Sequence, residues 1–252
     1  MPIPDANAIF RCQLTAEQLA ADLAPLGREL ADACEAAVPR SSEAPNAARL
    51  ALETAYALAI KLVRARVGLE LAGTTSFALL ARGEDDALRE WFRSLEANCP
   101  LEPDPRYSWY VANWTPGIAS ALRAVLARLE GYDGRAPLEA PHGRGDLFRA
   151  LYQEMFPAAC RHAMGEYYTP RWLAQAVLAE LPRTSGWRGL DPCCGSGTFV
   201  VELIDVVLAE TVGLPRERRL AEVLARVHGR DVNPLAVLTA RANYWLAIAP
   251  LL

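Results

Sequence analysis

The chain has 252 residues, of which 52% are hydrophobic and 22% charged, and its formal net charge is −4. That size allows one large or two small domains, and the composition is that of a globular protein. An acidic balance in which Lys61 is the one positive charge not supplied by arginine excludes the electrostatic footprint of an autonomous DNA-binding module.

No apolar run is long enough to span a bilayer. The N-terminus, Met1-Pro2-Ile3-Pro4-Asp5, carries neither a basic region nor a signal-like core. The six cysteines therefore read as reduced thiols in a cytoplasmic protein. None forms a Cys-x-x-Cys pair, and His142, His162 and His228 show no ligand spacing, so no metal site is expected. Residues 1–140 read as an alanine-rich helical domain. Leu19, Leu23, Leu26 and Leu30 mark one face of a helix, and Ile118, Leu122, Val125, Leu126 and Leu129 mark another. Asn46–Leu71 is a broader apolar segment expected to form a buried helix. Pro39–Pro45 and Pro100–Pro105 are breaks. The stretch from Gly131 to Gly145, with Gly134, Pro137, Pro141 and Gly143 between, is the expected linker to a second domain over 146–252.

Asp146–Met164 is a further helical stretch, with Asp146 as its cap and a break near Pro157. Gly165-Glu166-Tyr167-Tyr168-Thr169-Pro170 follows. Thr169 reads as a helix N-cap and Pro170 as the first helical residue, ahead of Trp172, Leu173, Ala176, Val177 and Leu181 at helical spacing. Capping explains the Thr-Pro pair but not the two tyrosines before it.

The Trp187–Leu190 run then leads into Asp191-Pro192-Cys193-Cys194-Gly195-Ser196-Gly197-Thr198-Phe199, and an apolar helix is expected from Thr198 to about Val212. A strand ending in an acid, followed by a Gly-x-Gly turn and a helix, is the form of a nucleotide-cofactor site. Gly195 and Gly197 let the backbone bend sharply and approach a ligand closely, and the helix start presents free N–H groups. A dinucleotide site wants a third glycine three residues after the second, where this chain has Val200. Asp191 also opposes a phosphate. A cationic, amino-acid-bearing cofactor such as S-adenosylmethionine fits better, with Asp191 facing its amino group. Any tight strand–helix turn remains the plain alternative, and small residues filling such a turn explain Cys193-Cys194.

An extra helical stretch is expected around Arg216–Ala225, where the basic cluster Arg216, Arg218 and Arg219 reads as a solvated face. Arg226–Val232 is the second expected strand. Asp231 at its end is a candidate acceptor for both ribose hydroxyls. Asn233-Pro234 is a helix start, so Asn233 reads as a cap, with a place near an adenine as the alternative.

Together Gly165–Pro170, Asp191–Thr198 and Gly229-Arg230-Asp231-Val232-Asn233-Pro234 resemble, in content and in order, the cofactor-binding half of N6-adenine DNA methyltransferases of the type I and type IIG restriction–modification kind. The Asp-Leu-Phe-Arg-x-Leu-Tyr-Gln lead-in after Gly145 resembles the family as well. The resemblance implies an α/β architecture: a helical N-terminal domain followed by a partial Rossmann-like S-adenosylmethionine methyltransferase domain. It assigns Tyr168, Thr169 and Pro170 to cover the methionine end of the cofactor, and Asp191, Pro192, Gly195, Gly197, Asp231 and Asn233 to hold it.

The family's chemistry uses a later Asn/Asp/Ser-Pro-Pro-aromatic motif, which accepts the hydrogens of the adenine amine and stacks on the flipped base. That motif is not found here. Asn233-Pro234-Leu235 lacks the second proline and the aromatic, and Asn113-Trp114-Thr115-Pro116 is not equivalent. No catalytic residue is therefore assigned. The expectation is a split subunit, a truncated product or a fragment, with DNA contacted through a missing or separate C-terminal region and a second polypeptide supplying the motif. The apolar end, Tyr244–Leu252, reads as a contact surface. Two rivals stay open: a non-catalytic binding or assembly subunit, and a nicotinamide-dependent dehydrogenase.

Overall fold

The computed structural model describes residues 16–39, 46–73, 77–99, 101, 105–134, 146–163 and 168–252. The Gly165–Tyr167 part of the first motif, and most of the expected linker, lie outside these. The chain divides into two compact units.

The first unit, Met1–Ala136 with Ala150–Pro157, is helical among its described residues. Helices α1 (Ala16–Ala37), α2 (Ala47–Ala72), α3 (Phe77–Arg82), α4 (Asp85–Ala97) and α5 (Pro116–Glu130) carry its core. Their ends follow local chemistry. Asn46 Oδ1 accepts the Arg49 N–H to start α2, and Gly73, at φ +64°, closes it. Thr115 Oγ1 accepts the Ile118 N–H, and Pro116 occupies the first turn of α5. Leu19, Leu23 and Leu30 are buried where α1 meets α2 and α5, as are all five apolar residues that mark the α5 face. In the middle of α2, Lys61 is fully buried and paired at 2.6 Å with Glu96, whose other oxygen accepts from Tyr110 Oη. A charge that deep needs such a partner.

The second unit is Pro137–Arg149 with Ala158–Leu252. Helix α6 (Arg149–Met155) belongs, apart from Arg149, to the first unit; in the second, α7 covers Ala158–Ala163 and α8 covers Arg171–Glu180. Strand β1 (Gly189–Asp191), α9 (Thr198–Glu210), α10 (Arg216–Arg226), β2 (Val227–Gly229) and α11 (Pro234–Ile248) complete the fold. The strands are parallel, with Gly189 opposite Val227 and Asp191 opposite Gly229. Among the described residues the sheet has these two strands, so the molecule is predominantly helical with a small, open sheet. Parallel strands need a crossover connection, which α9 and α10 supply. Val200, Ile204 and Val207 of α9, Val223 of α10, and Ala240, Ala247 and Ile248 of α11 form the core around β2.

Several elements differ from the sequence reading. The second strand covers Val227–Gly229, not Arg226–Val232; it starts one residue late because Arg226 is the last residue of α10 and serves as a wedge. Its guanidinium lies 4.3 Å over the Trp187 ring, donates to the Trp187 carbonyl at 3.1 Å and pairs with Glu210. Asp146 does not cap a helix. Its Oδ1 accepts the Phe148 N–H, and α6 begins at Arg149. The apolar C-terminal residues Leu246–Ala249 are buried rather than presented as a contact surface, with Ala247 and Ile248 part of the unit's own core. No helix among the described residues is long and apolar enough to cross a membrane.

Candidate functional site

The strands set the turn. Beyond their ends, Arg230 N–H donates to the Asp191 carbonyl and Cys194 N–H to the Arg230 carbonyl, both at 2.8 Å. The two strand exits are thereby laced together, and Asp231 lies beside the start of the glycine turn. Gly197 N–H closes the turn on the Cys194 carbonyl at 2.8 Å, and Val201 N–H takes up the Gly197 carbonyl as α9 begins. Gly195 sits at φ +53° and Gly197 at φ +94°, conformations that an L side chain resists.

Each acid braces this turn in a different way. Asp191 Oδ1 accepts the Cys193 N–H at 3.1 Å. Asp231 Oδ2 accepts the Gly195 N–H and its Oδ1 the Asn233 N–H, both at 2.8 Å. A carboxylate offers about four acceptor positions, so these bonds leave acceptor capacity on each acid. Asn233 caps α11, its Oδ1 accepting the Leu235 N–H at 3.0 Å, with Pro234 in the first turn. The link between Asp231 and Gly195, 36 residues apart, is invisible to sequence reasoning.

The turn also rests on a buried polar cluster. Ser196 Oγ donates to Asp146 Oδ2. Asn243 Nδ2 donates to Asp146 Oδ1 at 2.8 Å and to the Ser196 carbonyl at 2.9 Å. Asp146 is half-buried as a residue, but its carboxyl is enclosed. That burial raises its pKa against the opposing pull of the Ser196, Asn243 and Phe148 hydrogen bonds and the Arg149 charge. Sequence reasoning missed this role for all three residues.

Tyr168, Thr169 and Pro170 lead into α8. The structure corrects the capping assignment: Pro170 is the N-cap, extended at φ −60° and ψ 143°, with no side-chain cap, and Arg171 is the first helical residue. The proline ring fixes φ but leaves ψ free, so Pro170 can end an extended segment as readily as open a helix. Its carbonyl accepts from the N–H groups of both Leu173 and Ala174. The apolar face is corrected as well. Ala174 and Leu178 are buried, whereas Trp172 (69% exposed), Leu173, Val177 and Leu181 are exposed. Arg171, one residue past the motif, ties α8 to α9 through Glu202 and Asp205, and Gln175 donates to the other Glu202 oxygen at 2.9 Å.

Three grooves flank the strands. One, of about 340 Å³, runs along β1 past Leu190, Asp191, Pro192 and Phe199, with Val177 of α8 and Leu181 just past its end on the wall. A second, of about 330 Å³, is lined by Cys194, Arg230, Asp231, Arg241 and Tyr244. A third, of about 510 Å³, lies against Leu190, Leu224, Val227 and His228. Asp191 and Pro192 thus open on one side and Asp231 on the other, with the turn between them. Burial and the Asp191 and Asp231 charges push the Cys194 thiol up to about 11, so this cysteine fills the turn rather than reacting.

The residues suit a cationic cofactor. A Cβ on Gly195 would meet nothing within 4 Å, so a ligand can approach that backbone. The flanking acids accept hydrogen bonds and oppose phosphate.

Residues 143–248 match the model of the N-6 DNA Methylase family. The methylase subunit of the type I restriction enzyme EcoEI, from Escherichia coli, is 26% identical over 185 residues, covering 69% of this chain and 35% of that protein. The adenine-specific methyltransferase PglX of Streptomyces coelicolor is 32% identical over 130 residues, covering 46% of this chain and 11% of that protein. The chain therefore spans about a third or less of the length of these relatives. The match is partial and of low identity, and it relates the chain to adenine-N6 methyltransferases at the level of the general family. No solved structure matches the chain.

Proposed function

We propose that this chain is the S-adenosylmethionine-binding portion of a site-specific adenine-N6 DNA methyltransferase in a restriction–modification or related defence system. The observation that carries the reading is the meeting of Asp191 and Asp231 on either side of one glycine turn at the exits of two parallel strands. Open parallel sheets bind ligands at that end.

In this reading Asp191 takes the cofactor's amino group on its remaining oxygen, and Asp231 takes the ribose hydroxyls with its remaining acceptor positions. Gly195 and Gly197 allow close approach, with Pro192 beside them. Asn233 keeps its cap and orients the segment that carries Asp231. Tyr168, Thr169 and Pro170 cover the methionine end, held in place through the Arg171–Glu202 pair. The cofactor supplies a methyl group activated on a sulfonium. The groups that would accept the adenine hydrogens come from polypeptide outside this chain, as does most of the DNA affinity.

A second reading is a non-catalytic assembly subunit of such a system. The exposed apolar surface of Val177, Leu181 and Leu190 favours it, since these residues line one groove along β1 where a partner could pack. Calorimetric titration with S-adenosylmethionine, and separately with a nicotinamide dinucleotide, tests the first reading. Saturable binding of the first ligand alone supports it. Absence of binding by the folded chain leaves the assembly reading, and binding of the dinucleotide alone restores the dehydrogenase.

A further inference from the structure

The Gly195–Gly197 turn has an unusual weakness. Its two glycines are the residues with the most backbone freedom to lose, and the one side chain between them belongs to Ser196. That residue is 4% exposed and is held at both ends. Its hydroxyl is bound by Asp146, and its carbonyl accepts from Asn243, which is itself 2% exposed. Asp146 reaches the turn from 50 residues upstream and also binds Asn243 of α11, 97 residues from it. One carboxyl thus pins the turn and α11 to the same point.

We propose that Asp146 is a positioning residue: through Ser196 and Asn243 it fixes the Gly195–Gly197 backbone in the shape that receives the cofactor. The cofactor part of this inference rests on the function proposed above. The fixing of the turn does not. Hydrogen-bond geometry rather than negative charge carries the role. Burial disfavours the charged form of the carboxyl, and every bond it makes here is to a neutral group. Asparagine keeps that geometry, since its oxygen can accept from Asn243 and Phe148 while its amide donates to Ser196 Oγ.

Amide hydrogen exchange and cofactor titration on the full chain test this together. In Asp146→Ala and in Ser196→Ala, the Gly195 and Gly197 amides should exchange at least about tenfold faster, while amides in the middle of α10 stay within about twofold. Asp146→Asn should stay within about threefold of the parent at every one of these amides. S-adenosylmethionine affinity should follow the same order, falling about tenfold in the alanine variants and surviving in Asp146→Asn. Exchange that rises equally across the whole unit would reduce Asp146 to a plain stability role and overturn the proposal. So would an unchanged turn in Asp146→Ala, or an asparagine variant as damaged as the alanine one. Should Asp146→Ala fail to fold, Ser196→Ala, which deletes one hydroxyl, decides the matter. If the parent chain binds no S-adenosylmethionine, the cofactor reading fails, and the exchange pattern still decides whether Asp146 sets the turn.

Discussion

Alanine at Gly195 and alanine at Gly197 should have opposite consequences, although the two positions differ by two residues in one turn. A Cβ on Gly195 meets nothing within 4 Å. The cost is then the left-handed backbone alone, about 1–2 kcal/mol, or roughly a 5–30-fold rise in the open population. Gly197 sits further from the left-handed well, at φ +94°, and its Cβ would lie 3.3 Å from both Cα and Cβ of Ala240. Ala240 belongs to the buried face of α11, so its backbone cannot swing aside as a flexible side chain would. Overpacking adds about 1–3 kcal/mol, and the total reaches about 2–5 kcal/mol. Because the chain has two units, a single melting temperature is a poor readout. The assay is urea-dependent hydrogen exchange of the α9 amides from Val201 to Val207. Cofactor affinity should rank the other way relative to stability, since the Gly195 Cβ points into open space that the proposed cofactor would occupy. Equal destabilisation by the two variants would refute the packing argument. Affinity losses that merely track stability would refute the ligand-facing role of Gly195.

Other consequences follow from the surroundings of the turn. Arg226→Ala removes the stacking on Trp187, a bond to its carbonyl and the Glu210 pair. It should cost the second unit about 2–3 kcal/mol, read as faster exchange in α10 and β2. Glu210 is partly desolvated, which raises its pKa, but hydrogen bonds from Arg226 and Trp187 outweigh this and hold it below the usual carboxylate value. A depressed carboxylate contributes stability above its unfolded pKa that is lost as pH falls through the folded one. Exchange in the second unit should therefore accelerate on acidification below about pH 4.5, with less acceleration in Glu210→Gln. Cys194, with its thiol pushed up to about 11, should resist iodoacetamide at pH 8 in the folded chain, while exposed Cys193 is modified. Mass mapping of the alkylated peptides reads both, and labelling at Cys194 without unfolding would contradict the packing of the turn.

What the sequence made legible is what short-range chemistry decides. Asn233 caps α11 from two residues away, as the Asn-Pro pattern predicts; Asn46 and Thr115 cap α2 and α5 by the same short-range chemistry, which the sequence reading did not assign. The buried face of α5 follows from spacing alone. Thr169-Pro170 was misread by one residue because proline fixes φ and not ψ, so its place on the helix boundary is decided by the backbone that follows. The start of the second strand was misread because nothing local tells that Arg226 turns inward onto Trp187, 39 residues away. Hydrophobic spacing also located an apolar stripe on α8, but not whether a neighbour covers it, and Trp172 and Val177 are exposed. The glycine turn and its two acids were visible as residue types. Their mutual bracing, Asp231 to Gly195 and Asp146 to Ser196, depends on contacts between segments distant in sequence and appears only in three dimensions.

The central claim is that the turn and its acids form a cofactor pocket, and Asp191→Asn tests it with the least collateral change. Asp231 cannot be altered so simply, since both its oxygens brace the backbone. At Asp191 an amide oxygen can still accept the Cys193 N–H, while the charge and the second acceptor oxygen are lost. Titration of both proteins with S-adenosylmethionine should give saturable binding by the parent chain and an affinity at least about tenfold lower in the variant, with unchanged exchange at the Cys193 amide. Equal affinity in the two, or no binding by a folded parent, would contradict the account.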